Sequence, residues 1–320
     1  MNCCFPRTAP PTSVGRGNRD GGNQFSNTLP EALSINDGIG PRLFNPPGAS
    51  GLIRPTRIVT GPRSRIQVAD VTMDLALAPG ETDDQIYVWL PDKRVLLPGD
   101  NFYRAFPNVY AIRGVPLRRA DWWAESLTKM IAENAEHLLP SHTRPISGAE
   151  TVRSTLTAYR DGVTSVLDQT IALMRKGLRP DELVEQVKLP PELASNPYLQ
   201  EFYGSVSWSV RAIYTYHLGW FDGNATNLFP LSNHDRGLRL VAMLGGEAAV
   251  LKSAREALAR SDFQWAAELT DFILASQPEH MDARHLKAAA FRELGERQIN
   301  AGARNYYLSS AQYLTRDLKQ

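Results

Sequence analysis

Cysteine is almost missing from this chain of 320 residues: there are two, Cys3 and Cys4, adjacent and close to the N-terminus. With no second pair elsewhere they cannot staple a core, so a disulfide scaffold is excluded and the compartment is left open. An excess of charge of one sign is missing too. Lys and Arg number 35 against 34 Asp and Glu, a formal net charge of +1. No field then steers the molecule toward nucleic acid or anionic lipid. No run approaches the ~20 apolar residues that span a bilayer, and the first 25 residues lack the apolar stretch of a signal peptide. The chain reads as soluble, with neither a membrane span nor a nucleic-acid partner. Histidine is sparse as well: the six are His137, His142, His217, His234, His280 and His285, all well beyond Gly80.

What is present is an ordinary globular composition, 42% apolar and 22% charged. The length predicts two domains, because single cores stop growing at about 250–300 residues. Residues 1–65 are rich in Gly and Pro with few periodic apolar positions. We expect 1–35 to be disordered and the remainder to be the middle of a larger domain whose beginning is missing. Strand-like runs start at Ile53–Val59 and Arg65–Val71. Ile86–Leu90 and Arg94–Leu97 flank the turn signal Pro91-Asp92-Lys93 and predict a hairpin. Trp123, Leu127, Met130 and Ile131 recur at helical spacing within 120–134, and a short apolar run follows at His137–Pro140. Alternation of strand and helix predicts an α/β domain over 1–148.

After about residue 150 the pattern is helical throughout. Helices are expected over 149–176, 181–187, 198–219, 247–260, 262–275 and 281–294, forming an all-helical domain over 149–320. Alanine-rich segments around Leu258 and Ala290 recur at about the tetratricopeptide period; with fewer than three repeats, we expect a partly tetratricopeptide-like domain whose helices serve packing or dimer contacts rather than a peptide-binding array. His217, His280 and His285 read as ordinary surface histidines.

Chemistry concentrates between Gly80 and His142. Glu81 precedes one strand of the predicted hairpin, Asp100 follows the other, and His142 follows the next short apolar run. Acids and an imidazole at strand ends make a plausible divalent-metal set, with zinc a natural occupant. The competing reading makes Asp100 a loop cap, Glu81 a solvated acid and His142 a satisfied buried histidine.

The run from Pro79 to Pro145 (PGETDDQIYVWLPDKRVLLPGDNFYRAFPNVYAIRG … HLLPSHTRP) resembles the second half of the catalytic domain of alkyl sulfatases of the metallo-β-lactamase superfamily. Glu201–Arg211, Leu218–Asn224 and Asn305–Ala311 resemble that family's helical dimerisation domain. The resemblance implies a partial metallo-β-lactamase αββα sandwich followed by a dimerisation domain, a homodimer, and hydrolysis of an alkyl sulfate to alcohol and sulfate. It further implies a two-zinc site to which Glu81, Asp100 and His142 contribute ligands, with Arg113 holding the sulfate and Tyr203 beside the substrate.

There are departures. Gly80-Glu81-Thr82 inverts the family's usual Gly-Thr-Glu order, Asp100 stands where better-known members carry Glu, and Trp208 stands where some place a histidine. The family's His-x-His-x-Asp-His motif does not occur in these 320 residues. Two zinc ions at three to four ligands each need about seven protein donors, so this chain by itself is not expected to be a competent hydrolase. The rival expectation is a non-catalytic helical assembly module that keeps a remnant sheet.

Overall fold

The computed structural model describes residues 22–41 and 56–316. They divide into two compact units, residues 38–222 and residues 22–37 with 223–316.

The first unit is built on a six-stranded sheet in the order β1 (Arg63–Val68), β2 (Val71–Leu77), β3 (Ile86–Leu90), β4 (Val95–Leu97), β5 (His137–Leu138) and β6 (Ile146–Ser147). Every neighbouring pair is antiparallel except β4 and β5. The predicted hairpin forms, with Val88 opposite Leu97 and Leu90 opposite Val95. The expected strand Arg65–Val71 is displaced: a turn at Ala69-Asp70 splits the run into β1 and β2. Of the expected strand Ile53–Val59, residues 53–55 lie outside the described residues and 56–59 form no strand. Across the first hairpin, Arg65 sits opposite Asp74 and bonds it at 2.6 Å, while Arg63 reaches the same carboxylate at 2.7 Å.

A parallel pair needs a crossover, and α1 (Ala120–Ala132) supplies it between β4 and β5. Its residues Trp123, Leu127 and Met130 fall on one face and are fully buried. Against it packs the long α2 (Ala149–Arg175), through a stripe that includes Val152, Leu156, Tyr159 and Val163. Each such side chain contributes about 1.5–3 kcal/mol of burial. The short α3 (Pro180–Gln186) and α4 (Pro191–Ala194) lead to α5 (Val206–Leu218), which packs on α2 and α3. The expected helix over 198–219 is therefore shorter by its first turns, and Tyr203 stands in the turn before it. Because α2 also packs on β5 and β6, the compact division falls at 222/223, later than the 148/149 boundary expected from the loss of strand signals.

The second unit stacks α6 (Asn233–Met243), α7 (Glu247–Ala259), α8 (Phe263–Leu274), α9 (Met281–Glu296) and α10 (Ala301–Thr315), successive helices from α7 onward packing on one another. Alanines let them approach closely: Ala257, Ala266, Ala267 and Ala290 surround Phe263 in one cluster, while Val250, Leu251, Leu269 and Ile273 form another. Helices α6 and α10 lie outside the ranges expected to be helical; the periodicity of α10 is weak, whereas that of α6 is clear. Residues 22–35, expected to be disordered, are instead folded onto α10. Buried Asn305 donates to the carbonyls of Gln24 and Asn36, and Arg304 donates to that of Leu33. The segment 22–37 is held through its backbone carbonyls by side chains of α10 rather than by periodic apolar packing, which is why the composition misled. His280 is likewise no plain surface residue: it caps α9 by accepting from Ala283 N–H and also contacts Glu247. Among the described residues no helix is long and apolar enough to cross a membrane.

Candidate active site

Topology brings the predicted residues to one edge of the sheet. Strand β3 runs away from that edge and β4 returns to it, so Glu81 before β3 and Asp100 after β4 lie at the same end. The parallel pairing of β4 with β5 sends the C-terminal ends of both strands there, which adds His142. Two close approaches tighten the edge. Asn101 accepts from Glu81 N–H at 2.9 Å and donates to Ala78 O at 2.6 Å, and a Cβ on Gly80 would lie 2.3 Å from the Asn101 amide oxygen. Gly204 lies flat on Phe106-Pro107, where a Cβ would meet Pro107 O at 2.0 Å. That contact seats Tyr203 edge-on against Tyr103, ring centroids 5.6 Å apart.

The site contains two different carboxylate environments. Glu81 is buried, 8% exposed, and both its oxygens have protein partners: Arg118 Nη2 at 2.6 Å and the Tyr103 hydroxyl at 3.2 Å. Burial pushes its carboxyl up from the ordinary range, and the neighbouring Asp100 adds to this, while the Arg118 and Arg113 guanidiniums oppose it. Arg118 is itself buried and donates to Asn108 O, whose own amide N–H bonds the Tyr103 oxygen at 2.7 Å. Asp100 is half-exposed and pairs with His142 Nε2 at 3.4 Å. That contact lowers the aspartate and raises the imidazole, each stabilising the other's charged form. Arg113 donates from Nη1 to the Tyr203 hydroxyl at 3.3 Å across 90 residues of sequence.

All five predicted site residues thus lie in the first unit; two contacts join four of them in pairs, Asp100–His142 and Arg113–Tyr203, while Glu81 is paired with Arg118. Sequence reasoning missed Arg118, Tyr103 and Asn101. They stand in an irregular stretch between β4 and α1 that has no period to read, and a run such as Pro116-Leu117-Arg118 carries no signal of a buried guanidinium.

Whether these residues fit a metal can be tested on the donors. Among the described residues no group of three His, Cys, Asp or Glu is placed to hold a metal ion. Glu81 is engaged by Arg118 and Tyr103, which leaves Asp100 and His142 as a pair. A catalytic zinc takes at least three protein ligands. As they stand, the residues do not fit a metal by themselves.

Comparison with known proteins agrees with this architecture. Residues 179–317 match the family model described as alkyl sulfatase dimerisation. A linear primary-alkylsulfatase from a Pseudomonas species is 40% identical over 282 residues, 88% of this chain and 53% of the relative. An (R)-specific secondary-alkylsulfatase, also from Pseudomonas, is 34% identical over 268 residues, 82% of this chain and 40% of the relative. The solved structure of a stereoselective inverting sec-alkylsulfatase from Pseudomonas superimposes with a TM-score of 0.86 at 32% identity, covering 93% of this chain and 48% of that one. The chain therefore spans about half the length of the relatives it matches, or less. The chain belongs to the alkyl sulfatase family.

Proposed function

We propose that these residues form the sulfate-binding side of an enzyme that hydrolyses alkyl sulfate esters to alcohol and sulfate, working as a homodimer. The observation that carries this reading is the 40% identity to a linear primary-alkylsulfatase over 88% of the chain, a stretch that includes the edge holding Glu81, Asp100 and His142. In this reading Arg113 presents its planar fork to the tetrahedral sulfate, which a guanidinium matches better than an ammonium. Tyr203, bonded to Arg113, lines the same place, and the aromatic residues around it receive the alkyl chain. Glu81, Asp100 and His142 are the candidate ligands for the family's two zinc ions. They fall short of a site on their own, so no step is assigned to zinc. The successive helix pairs of the second unit keep the tetratricopeptide-like reading open to the same proposal.

Reconstitution tests the enzyme reading. The 320-residue chain alone is expected to release almost no sulfate from dodecyl sulfate. Mixed with an N-terminal half of the Pseudomonas relative that carries His-x-His-x-Asp-His, plus zinc, it is expected to release sulfate, and Arg113→Ala should cut that rate by at least ~100-fold. If the relative's own two halves reconstitute activity and this chain cannot replace the C-terminal one, the enzyme reading is lost. The engagement of Glu81 by Arg118 favours a second reading, a non-catalytic assembly module. A stable dimer with no sulfate release in any mixture would establish it.

A further inference from the structure

Residues 102–119 contain no helix or strand, yet they carry both Arg113 and Arg118. A stretch without its own backbone ladder takes its shape from what it packs on, and here much of that comes from residues 200–216. Phe106 N–H donates to Gln200 O at 2.7 Å and Gly204 N–H donates to Phe106 O at 3.0 Å. Arg113 reaches the Tyr203 hydroxyl. These three contacts meet the turn before α5. A fourth meets the far end of that helix, where the Arg119 guanidinium stands over the Tyr216 ring, 5.2 Å from its centroid. The same guanidinium lies 4.2 Å from the centroid of Trp122 and bonds the Asp121 carboxylate.

Arg118 and Arg119 grip the end of the stretch in two directions. Backbone at Arg119 is extended, and successive side chains on extended chain project to opposite sides. Arg118 goes inward, buried against Glu81 and Asn108. Arg119 goes outward, onto two half-exposed rings. Its bond to Asp121 only shapes the first turn of α1. The contact with Tyr216 does nothing for that helix and instead ties the start of α1 to the end of α5. Residues 114–118 alone separate it from Arg113, so a shift at Arg119 has little slack in which to dissipate.

We propose that Arg119 is a positioning residue for the anion-binding guanidinium: packed on Tyr216 and Trp122, it fixes the end of the 114–119 stretch and so sets where Arg113 stands. The proposal rests on the reading that Arg113 takes the sulfate. It also gives Tyr216, within the stretch matched by the dimerisation model, a part in shaping the site. A planar fork meets an oxyanion through directed hydrogen bonds, and a displacement of about 1 Å is enough to weaken such a fit strongly.

Titration of the full chain with sodium sulfate at constant ionic strength, followed by the amide NMR signal of Gly114, tests this. The unsubstituted chain should bind sulfate and Arg113→Ala should not. Arg119→Met and Tyr216→Leu should each raise the dissociation constant by ~10-fold, with unchanged far-ultraviolet circular dichroism. Arg119→Lys keeps a cation over the rings and should regain most of the affinity. A chain that binds no sulfate, or binds it equally well as Arg113→Ala, overturns the reading of Arg113 and the proposal with it. Binding that needs Arg113 but is unmoved in Arg119→Met and Tyr216→Leu overturns the positioning role alone. An Arg119→Lys variant as weak as Arg119→Met, beside an unaffected Tyr216→Leu, also overturns it and makes Arg119 a direct sulfate contact.

Discussion

Removing the Arg118 guanidinium would leave the Glu81 carboxylate buried with only the Tyr103 hydroxyl as a side-chain partner. Breaking one side of a buried pair costs about 3–5 kcal/mol, because the other charge stays behind unpaired. Arg118→Met should therefore lower stability by about that amount in urea unfolding at neutral pH. The loss should shrink as the pH falls, because a protonated Glu81 is neutral, and Glu81→Gln in the same chain should recover much of it. Equal stability of Arg118→Met and the unsubstituted chain would mean that the pair does not form. Asp74 makes a second, independent case. Arg65 first and Arg63 with it hold its carboxyl down to about 2. A folded-state value below the unfolded one means that the stabilisation is complete above about pH 4 and is lost as the pH falls toward 2. Since both arginines are more than 40% exposed, solvent screening reduces the effect to about 1–2 kcal/mol. Asp74→Asn should remove that acid-sensitive part, which stability measured between pH 6 and pH 2 would reveal by a flatter profile.

Elements decide where these side chains meet. The β3–β4 hairpin was legible because Pro91-Asp92-Lys93 separates two runs of β-forming residues. Helix α1 was legible because Trp123, Leu127 and Met130 repeat at the helical period. From those two elements alone the shared edge of Glu81 and Asp100 follows. That His142 joins them depends on the parallel pairing of β4 with the two-residue β5, too short for any periodicity to announce. The approach of the 200–205 turn to Phe106-Pro107 was equally hidden, and the helix predicted over 198–219 was too long because aromatic spacing there serves a turn as well. Gly204→Ala tests this junction. The added methyl would face the backbone of Pro107 and Phe106 at 2.0 and 2.5 Å, so the two segments must part. We expect a loss of about 1–3 kcal/mol and a fall in melting temperature. An unshifted melt would show that the turn stands off the sheet edge.

Larger organisation is a matter of which distant segments find each other. The segment 22–37 belongs with α10 through Asn305, which is fully buried and bonds two backbone carbonyls some 270–280 residues earlier in the chain. Asn305→Ala would forfeit both bonds and leave the Gln24 carbonyl short of its donor, for a cost of about 1–3 kcal/mol. Hydrogen exchange of residues 22–37 should accelerate in that variant and stay unchanged in the α7–α8 core. Exchange that rises equally everywhere would count against a local anchor.

From the amino-acid order alone came the kinds of element, the change from mixed strand and helix to helix only, the family, and the strand-end positions of Glu81, Asp100 and His142. Those properties are local, set by side-chain period, turn residues and short motifs. Tertiary structure alone decided that Glu81 is gripped by Arg118, that Arg113 meets Tyr203, and that Gly-rich early residues fold onto the last helix. Each of those contacts joins segments with no periodic relation, and its geometry exists only once the sheet and helices have closed around it.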